Sequence, residues 1–184
     1  FRAGMAEVIK YGAIRDVDFF DWLAANSESV MKRDHAALAA IIERCVRNKA
    51  DVVAEDELEA GSRALLNFGH TFGHALETVT RYSRFLHGEA VSIGMVVAAR
   101  LSESQEICPA GVTARLTGLL DACGLPTSVP ADIDTDRIID AMSLDKKALA
   151  GCTRLILLTR LGGAYVDSSI EPGPISKALV QCRQ

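Results

Sequence analysis

The stretch Gly88-Glu89-Ala90-Val91-Ser92-Ile93-Gly94-Met95-Val96-Val97-Ala98-Ala99-Arg100-Leu101-Ser102-Glu103 decides the fold. It is apolar on nearly every side, which suits a helix enclosed by other elements rather than one lying on a surface. Ser92, Gly94 and Arg100 interrupt it too soon for a membrane span. A helix of this kind needs partners, and the flanking sequence supplies amphipathic ones. Upstream, Met5, Val8 and Ile9 begin an apolar stripe that runs to about Ile14, and Phe19, Phe20, Trp22 and Leu23 mark a short helix over Asp18 to Ala25. Leu38, Ile41, Ile42, Cys45, Val46, Val52 and Val53 then keep helical spacing on a long helix with one buried stripe. Gly61 interrupts the polar segment that follows, and Arg63 to Tyr82 resumes a helical pattern despite Gly69 and Gly73. Downstream, Thr113 to Cys123 is closed by the stop signal Gly124-Leu125-Pro126, and Asp134 to Ser143 gives one more helix. Arg154 to Thr159 and Ala164 to Val166, joined through Gly162-Gly163, read as a strand pair, and Pro174 to Gln184 is helical again. The prediction is one mainly α, multi-helical domain over residues 1–184, with a single small β pair near the C-terminus.

Length and composition bound the rest. A chain of 184 residues, 49% hydrophobic with a net charge of −4, can bury a full core and offers no basic nucleic-acid surface. The five cysteines (Cys45, Cys108, Cys123, Cys152 and Cys182) are dispersed and odd in number, which argues against a disulfide framework and suits a reducing cytoplasm. None has an activating base beside it in sequence, so all five read as small core or surface residues. The N-terminus, Phe-Arg-Ala-Gly-Met, lacks the apolar run of a secretory leader. Because the chain begins at Phe1 and enters a helix-like segment at once, it is expected to be a piece of something longer.

Chemistry-bearing residues concentrate around the histidines. His70 and His74 lie four apart, so on a helix both rings leave the same face. Such a pair alone is more often a set of ordinary core or surface histidines. His87, in Leu86-His87-Gly88-Glu89, would bring a third donor from a different helix, and catalytic zinc commonly takes two histidines and one carboxylate. Arg63, Asn67, His70 and His74 share one face if the helix holds throughout, a polar line suited to an anionic, hydroxylated small molecule. Lys49 falls within the apolar stripe of the long helix, where it either faces an anion or cleft or snorkels to water. Glu7 and Lys10 lie one turn apart, as a solvated ion pair or as part of a site. Asp145-Lys146-Lys147 is equally readable as an ordinary charged loop.

Ala3-Gly4-Met5-Ala6-Glu7-Val8-Ile9-Lys10, Leu65-Leu66-Asn67-Phe68-Gly69-His70-Thr71-Phe72-Gly73-His74-Ala75, Leu86-His87-Gly88-Glu89 and Leu144-Asp145-Lys146-Lys147 together resemble the C-terminal domain of the 3-dehydroquinate synthase family. The resemblance covers essentially the whole chain. It implies metal ligands at Glu7, His70 and His87, with zinc or cobalt as the ion. It places substrate-contacting residues at Lys10, Lys49, Arg63, Asn67 and His74, and at a lysine of the Asp-Lys-Lys motif, Lys146 being favoured over Lys147. The implied activity is that of a lyase of the shikimate pathway, on the way to chorismate and the aromatic amino acids. Such an enzyme converts 3-deoxy-arabino-heptulosonate 7-phosphate to 3-dehydroquinate with loss of phosphate and transient use of NAD. Lys49 and Arg63 suit the substrate carboxylate, while Asn67, His74 and the loop lysine suit the phosphate. The family is commonly dimeric, so a homodimer is one expected assembly.

A dinucleotide fingerprint is absent. Gly69 and Gly73 lie inside the histidine segment and Gly162-Gly163 is a hairpin turn, so no strand feeds a Gly-rich turn that opens a helix. In the family an N-terminal α/β domain binds NAD. The chain is therefore expected to fold and hold metal but to turn over nothing without that half. Three rivals remain at this level: another sugar-phosphate cyclase, a metal-dependent polyol dehydrogenase, and a non-catalytic zinc module with a closed four-ligand site.

Overall fold

The structure, a computed structural model, describes residues 1–56, 62–148 and 154–184 (of residue 62 and residues 144–148, the backbone alone). Its elements in order are α1 (Arg2–Ile14), α2 (Val17–Met31), α3 (His35–Glu55), a 3₁₀ turn (Ser62–Asn67), α4 (His70–Val79), α5 (His87–Ser104), α6 (Val112–Ala122), α7 (Thr135–Ala148), β1 (Leu155–Arg160), β2 (Gly163–Asp167) and α8 (Pro172–Gln181). The mainly α architecture with one small β pair is as expected. The central helix is α5: residues 90–99 are buried without a break, and α1, α4, α6, α8 and β1 pack around it. Its two buried hydroxyls are satisfied. Ser92 Oγ donates to Pro126 O at 2.7 Å, while Ser102 Oγ donates to Ala98 O at 2.8 Å and accepts from Leu158 N at 3.0 Å. The strands pair antiparallel from Leu155 opposite Asp167 to Leu158 opposite Ala164, and the register breaks between Leu158 and Arg160. No helix among the described residues is long and apolar enough to cross a membrane.

Three readings of the sequence are corrected. First, α2 continues to Met31. Asp16 caps its start by accepting from Phe19 N at 3.0 Å, and Phe19, Phe20, Leu23 and Val30 hold the core along its length. Second, the buried row of α3 is Ala37, Ile41, Asn48 and Val52, whereas Ile42 and Val46 are 62% and 63% exposed and Lys49 is exposed too. The apolar stripe drawn from the sequence merged two adjacent rows of the helix. The buried polar residue of α3 is instead Asn48, which donates to Asp16 Oδ2 at 2.9 Å beside the Arg44–Asp16 ion pair. Third, Arg63 to Tyr82 is not one helix. Asn67 ends a 3₁₀ turn, Gly69 takes φ +82°, and α4 starts at His70, so Arg63 and Asn67 leave the row of His70 and His74. Gly61 lies outside the described residues.

Gly69 breaks the helix because of what it touches. A Cβ there would meet the backbone of Val91 and Met95, and a Cβ at Gly94 would land on the carbonyl oxygen of Gly69. The backbones of α4 and α5 thus cross with no side chain between them. On a different face, near the start of α5, a Cβ on Gly88 would land on the carbonyl oxygen of Ala3, so α1 approaches α5 just as closely. Helix propensity alone favours alanine over glycine by roughly 1 kcal/mol in a helix interior. We expect Gly94→Ala nevertheless to destabilise the chain by about 2–3 kcal/mol, because the collision is with backbone and cannot relax by a rotamer change. Urea unfolding measures this, and a neutral or stabilising result would refute the close crossing.

Candidate metal and substrate site

The two glycine contacts set the site. His70 follows Gly69 at the start of α4, His87 precedes Gly88 at the start of α5, and Glu7 lies one turn beyond Ala3 on α1. One ligand atom from each of Glu7, His70 and His87 falls within 4.8 Å of the others. His74 stands beside them. Its ring centroid is 5.5 Å from that of His70 and 5.7 Å from that of His87, and the rings of His70 and His87 are 5.2 Å apart.

The hydrogen bonds fix the tautomers. His70 Nδ1 lies 3.3 Å from the carbonyl oxygen of Phe68, which can only accept, so the proton is on Nδ1. His70 Nε2 then carries a lone pair, and it faces Glu7 Oε1 at 3.5 Å. Burial, with Lys10 close by, pushes the His70 pKa down from 6.5 to about 4, so at neutral pH this ring brings no proton to the contact. Glu7 Oε1 is itself buried and has no hydrogen-bond partner, while Oε2 is taken by Lys10 Nζ at 2.5 Å. Two acceptors therefore confront each other in a sheltered place, an arrangement that a cation between them would stabilise. A carboxylate oxygen and two imidazole nitrogens form a donor set that zinc takes, and the half-exposed His87 leaves a side of the cluster open to solvent. These residues fit a metal ion.

Lys10 is 4% exposed, so its pair with Glu7 is not the solvated surface pair that spacing alone allowed. Arg63 and Asn67 lie on the 3₁₀ turn that leads into α4, Asn67 exposed and Arg63 half-buried, with the Arg63 backbone N–H donating to Asp56 Oδ2 at 3.0 Å. Lys49 sits on the exposed side of α3, the helix that packs against that turn. The structure thus brings Glu7, Lys10, His70, His74 and His87 together around one point. It sets Arg63, Asn67 and Lys49 on the adjoining turn and helix. Asp145, Lys146 and Lys147 lie in the last turn of α7 and not in a loop, and the side chains of Lys146 and Lys147 lie outside the described residues. Among the described cysteines, Cys45 is half-buried and Cys108, Cys123 and Cys182 are buried, and burial pushes the Cys45 and Cys108 thiols up to about 11, as suits inert packing residues.

The sequence reading missed one participant. Glu77, on the same face of α4, is buried, and its carboxylate oxygens lie 3.2 and 3.4 Å from His87 Nδ1. A carboxylate two positions from the end of a helix that otherwise buries Phe72, Ala75 and Leu76 was the available signal.

The same arrangement of helices occurs in solved synthases. A 2-epi-5-epi-valiolone synthase from Streptomyces hygroscopicus subsp. jinggangensis, with NAD+ and Zn2+ bound, matches 98% of this chain and 50% of its own at a TM-score of 0.88 and 23% identity. A 2-deoxy-scyllo-inosose synthase complexed with carbaglucose-6-phosphate, NAD+ and Co2+ matches 98% of the chain and 52% of its own at a TM-score of 0.77 and 22% identity. At these identities the likeness establishes the fold. The sequence goes further: residues 4–148 match the family described as 3-dehydroquinate synthase C-terminal, and the chain belongs to that family. Curated relatives named 3-dehydroquinate synthase are 50% identical over 183 residues in Nitrosococcus oceani and 50% identical over 181 residues in Halorhodospira halophila, covering 97% and 98% of this chain. The chain spans about half the length of these relatives, 51% in both cases.

The depressed His70 pKa has a consequence for stability. In the folded, metal-free chain His70 binds its proton only near pH 4, whereas the unfolded chain binds it near 6.5. The stabilisation is fully present above about pH 6.5 and is lost as the pH falls through that window. We expect an NMR titration in chelator to place the His70 midpoint near 4. A midpoint near 6.5 would show that the ring is not held in the sheltered contact with Glu7.

Proposed function

We propose that this chain is the metal- and substrate-binding part of a 3-dehydroquinate synthase, a lyase that closes 3-deoxy-arabino-heptulosonate 7-phosphate into 3-dehydroquinate with loss of phosphate. The observation that carries the reading is the buried, partnerless Glu7 Oε1 facing the lone pair of His70 beside His87, on a chain half identical to curated synthases. Zinc or cobalt, both suited to two histidines and a carboxylate, would supply a Lewis acid for the substrate hydroxyls, and NAD+ would supply the hydride acceptor. The nicotinamide site is proposed to lie outside these 184 residues, in the part of the full-length enzyme that the longer relatives carry.

The residues divide the remaining work by charge and reach. Glu7, His70 and His87 would hold the ion, which would supply Lewis acidity to the substrate hydroxyls. Lys10, buried against Glu7, keeps a fixed cation beside the reacting carbon and offsets the charge that develops when a hydroxyl loses its proton. His74, exposed at the mouth of the cluster, can bond the phosphate or carry a proton from it. Arg63 and Lys49 are assigned to the carboxylate, and Asn67 and Lys146 join His74 on the phosphate. The assignment of Lys49 rests on its place on α3 next to the turn that carries Arg63 and Asn67, not on burial. Within one turnover the substrate is oxidised, loses phosphate, is reduced again and closes, so no nicotinamide is consumed.

Two measurements test this. Purified without a histidine tag, the chain is expected to carry about one zinc, and His87→Ala to lose it, in a three-ligand site of this kind. Supplied with the sugar acid phosphate, the full-length enzyme is expected to release one phosphate per product without accumulating NADH. Steady NADH accumulation would instead mark a polyol dehydrogenase, and turnover confined to neutral sugar phosphates would mark a different cyclase.

A further inference from the structure

His74, Glu77 and His87 form a second group whose ligand atoms lie within 4.8 Å of one another, sharing His87 with the first. Glu77 is 6% exposed and sits in the last turn of α4. Burial takes that side chain out of water, so its oxygens need a hydrogen-bond donor within reach. The group that meets the carboxylate is His87, whose Nδ1 lies 3.2 Å from one oxygen and 3.4 Å from the other. An ionised carboxylate only accepts, so Nδ1 carries the proton and the lone pair of His87 is on Nε2.

His87 needs this restraint more than His70 does. His70 is well covered and bonded to a backbone carbonyl, whereas the His87 side chain is 50% exposed at the first residue of α5, beside the exposed Leu86. An imidazole so placed would otherwise exchange rotamers and tautomers freely. We propose that Glu77 is the positioning residue of the site: it fixes His87 as the Nδ1–H tautomer and turns Nε2 toward Glu7 and His70. It thereby preorganises the third ligand before metal arrives, an inference that rests on the metal-site reading above. Each imidazole then has its own outer partner, the Phe68 carbonyl for His70 and the Glu77 carboxylate for His87, and a carboxylate there also makes the ring a stronger donor.

The test is zinc affinity of the chain by competition with a chromophoric chelator, together with the visible absorption of the cobalt-loaded chain, for wild type and for Glu77→Gln, Glu77→Met and Glu7→Gln. Glu77→Met keeps the bulk and removes the acceptor, so zinc should bind about 10- to 100-fold more weakly and the cobalt bands should shift. Glu77→Gln keeps a neutral acceptor for Nδ1–H and should recover most of the loss, which a purely space-filling role would not predict. Thermal unfolding of the metal-free variants separates misfolding from ligand disorder. Should Glu77→Met misfold, an affinity for Glu77→Gln between that of wild type and Glu7→Gln supports the proposal, and one below Glu7→Gln overturns it. If wild type binds zinc, Glu7→Gln loses it and both Glu77 variants bind as wild type, the positioning role fails while the metal centre stands. If wild type and Glu7→Gln bind zinc equally weakly, the metal-centre reading itself fails and takes the proposal with it. Two zinc ions per chain, the second lost with His74→Ala, would make Glu77 a ligand rather than a positioning residue and overturn the proposal.

Discussion

The structure depends on the close approach of three helix backbones. At Gly94 the backbone of α5 lies against the carbonyl of Gly69, and at Gly88 it lies against that of Ala3. Nothing larger than hydrogen fits at either glycine, and the ligands Glu7, His70 and His87 sit within a turn of these contacts. Packing of this kind is stiff because backbone cannot rotate out of the way as a side chain can. Stiffness is what a three-ligand site drawn from three separate helices requires: small displacements of any one helix would separate the donors. α5, buried without a break over residues 90–99, is therefore both the core of the fold and the frame of the site.

Around that frame the electrostatics are arranged for a cation. His70 is kept neutral by burial and by Lys10, its proton is pinned on the Phe68 side, and its lone pair meets a carboxylate oxygen that no donor satisfies. Lys10 meets the other oxygen of Glu7 from a buried position and leaves the oxygen that faces the histidines open. At His74 and His87 the cluster has an open, solvent-exposed edge.

Much of this was legible in the sequence. Apolar periodicity showed the helices because burial of one face is a strong, local pattern, and the all-round apolar run at 88–103 marked the central helix for the same reason. Glu7, His70, His74 and His87 were found through the motifs that carry the family resemblance, and the structure brings all four together. Three things could not be read. The break at Gly69 depends on a contact with α5 residues more than twenty positions away, which a local helical pattern does not record. The exposure of Lys49 and burial of Asn48 turn on a single step of about 100° around α3, too fine for a stripe already two rows wide. Glu77 was missed because its meaning lies in its partner, His87, on another helix.

The central claim is that Glu7, His70 and His87 form one metal centre held by the glycine contacts. Anomalous diffraction at the zinc edge, from zinc-loaded crystals, tests it most directly. The account predicts a single strong peak within about 2.0–2.2 Å of Glu7 Oε1 and of Nε2 of both His70 and His87. A peak bound instead by His74, Glu77 and His87, or placed away from all of these residues, would contradict it.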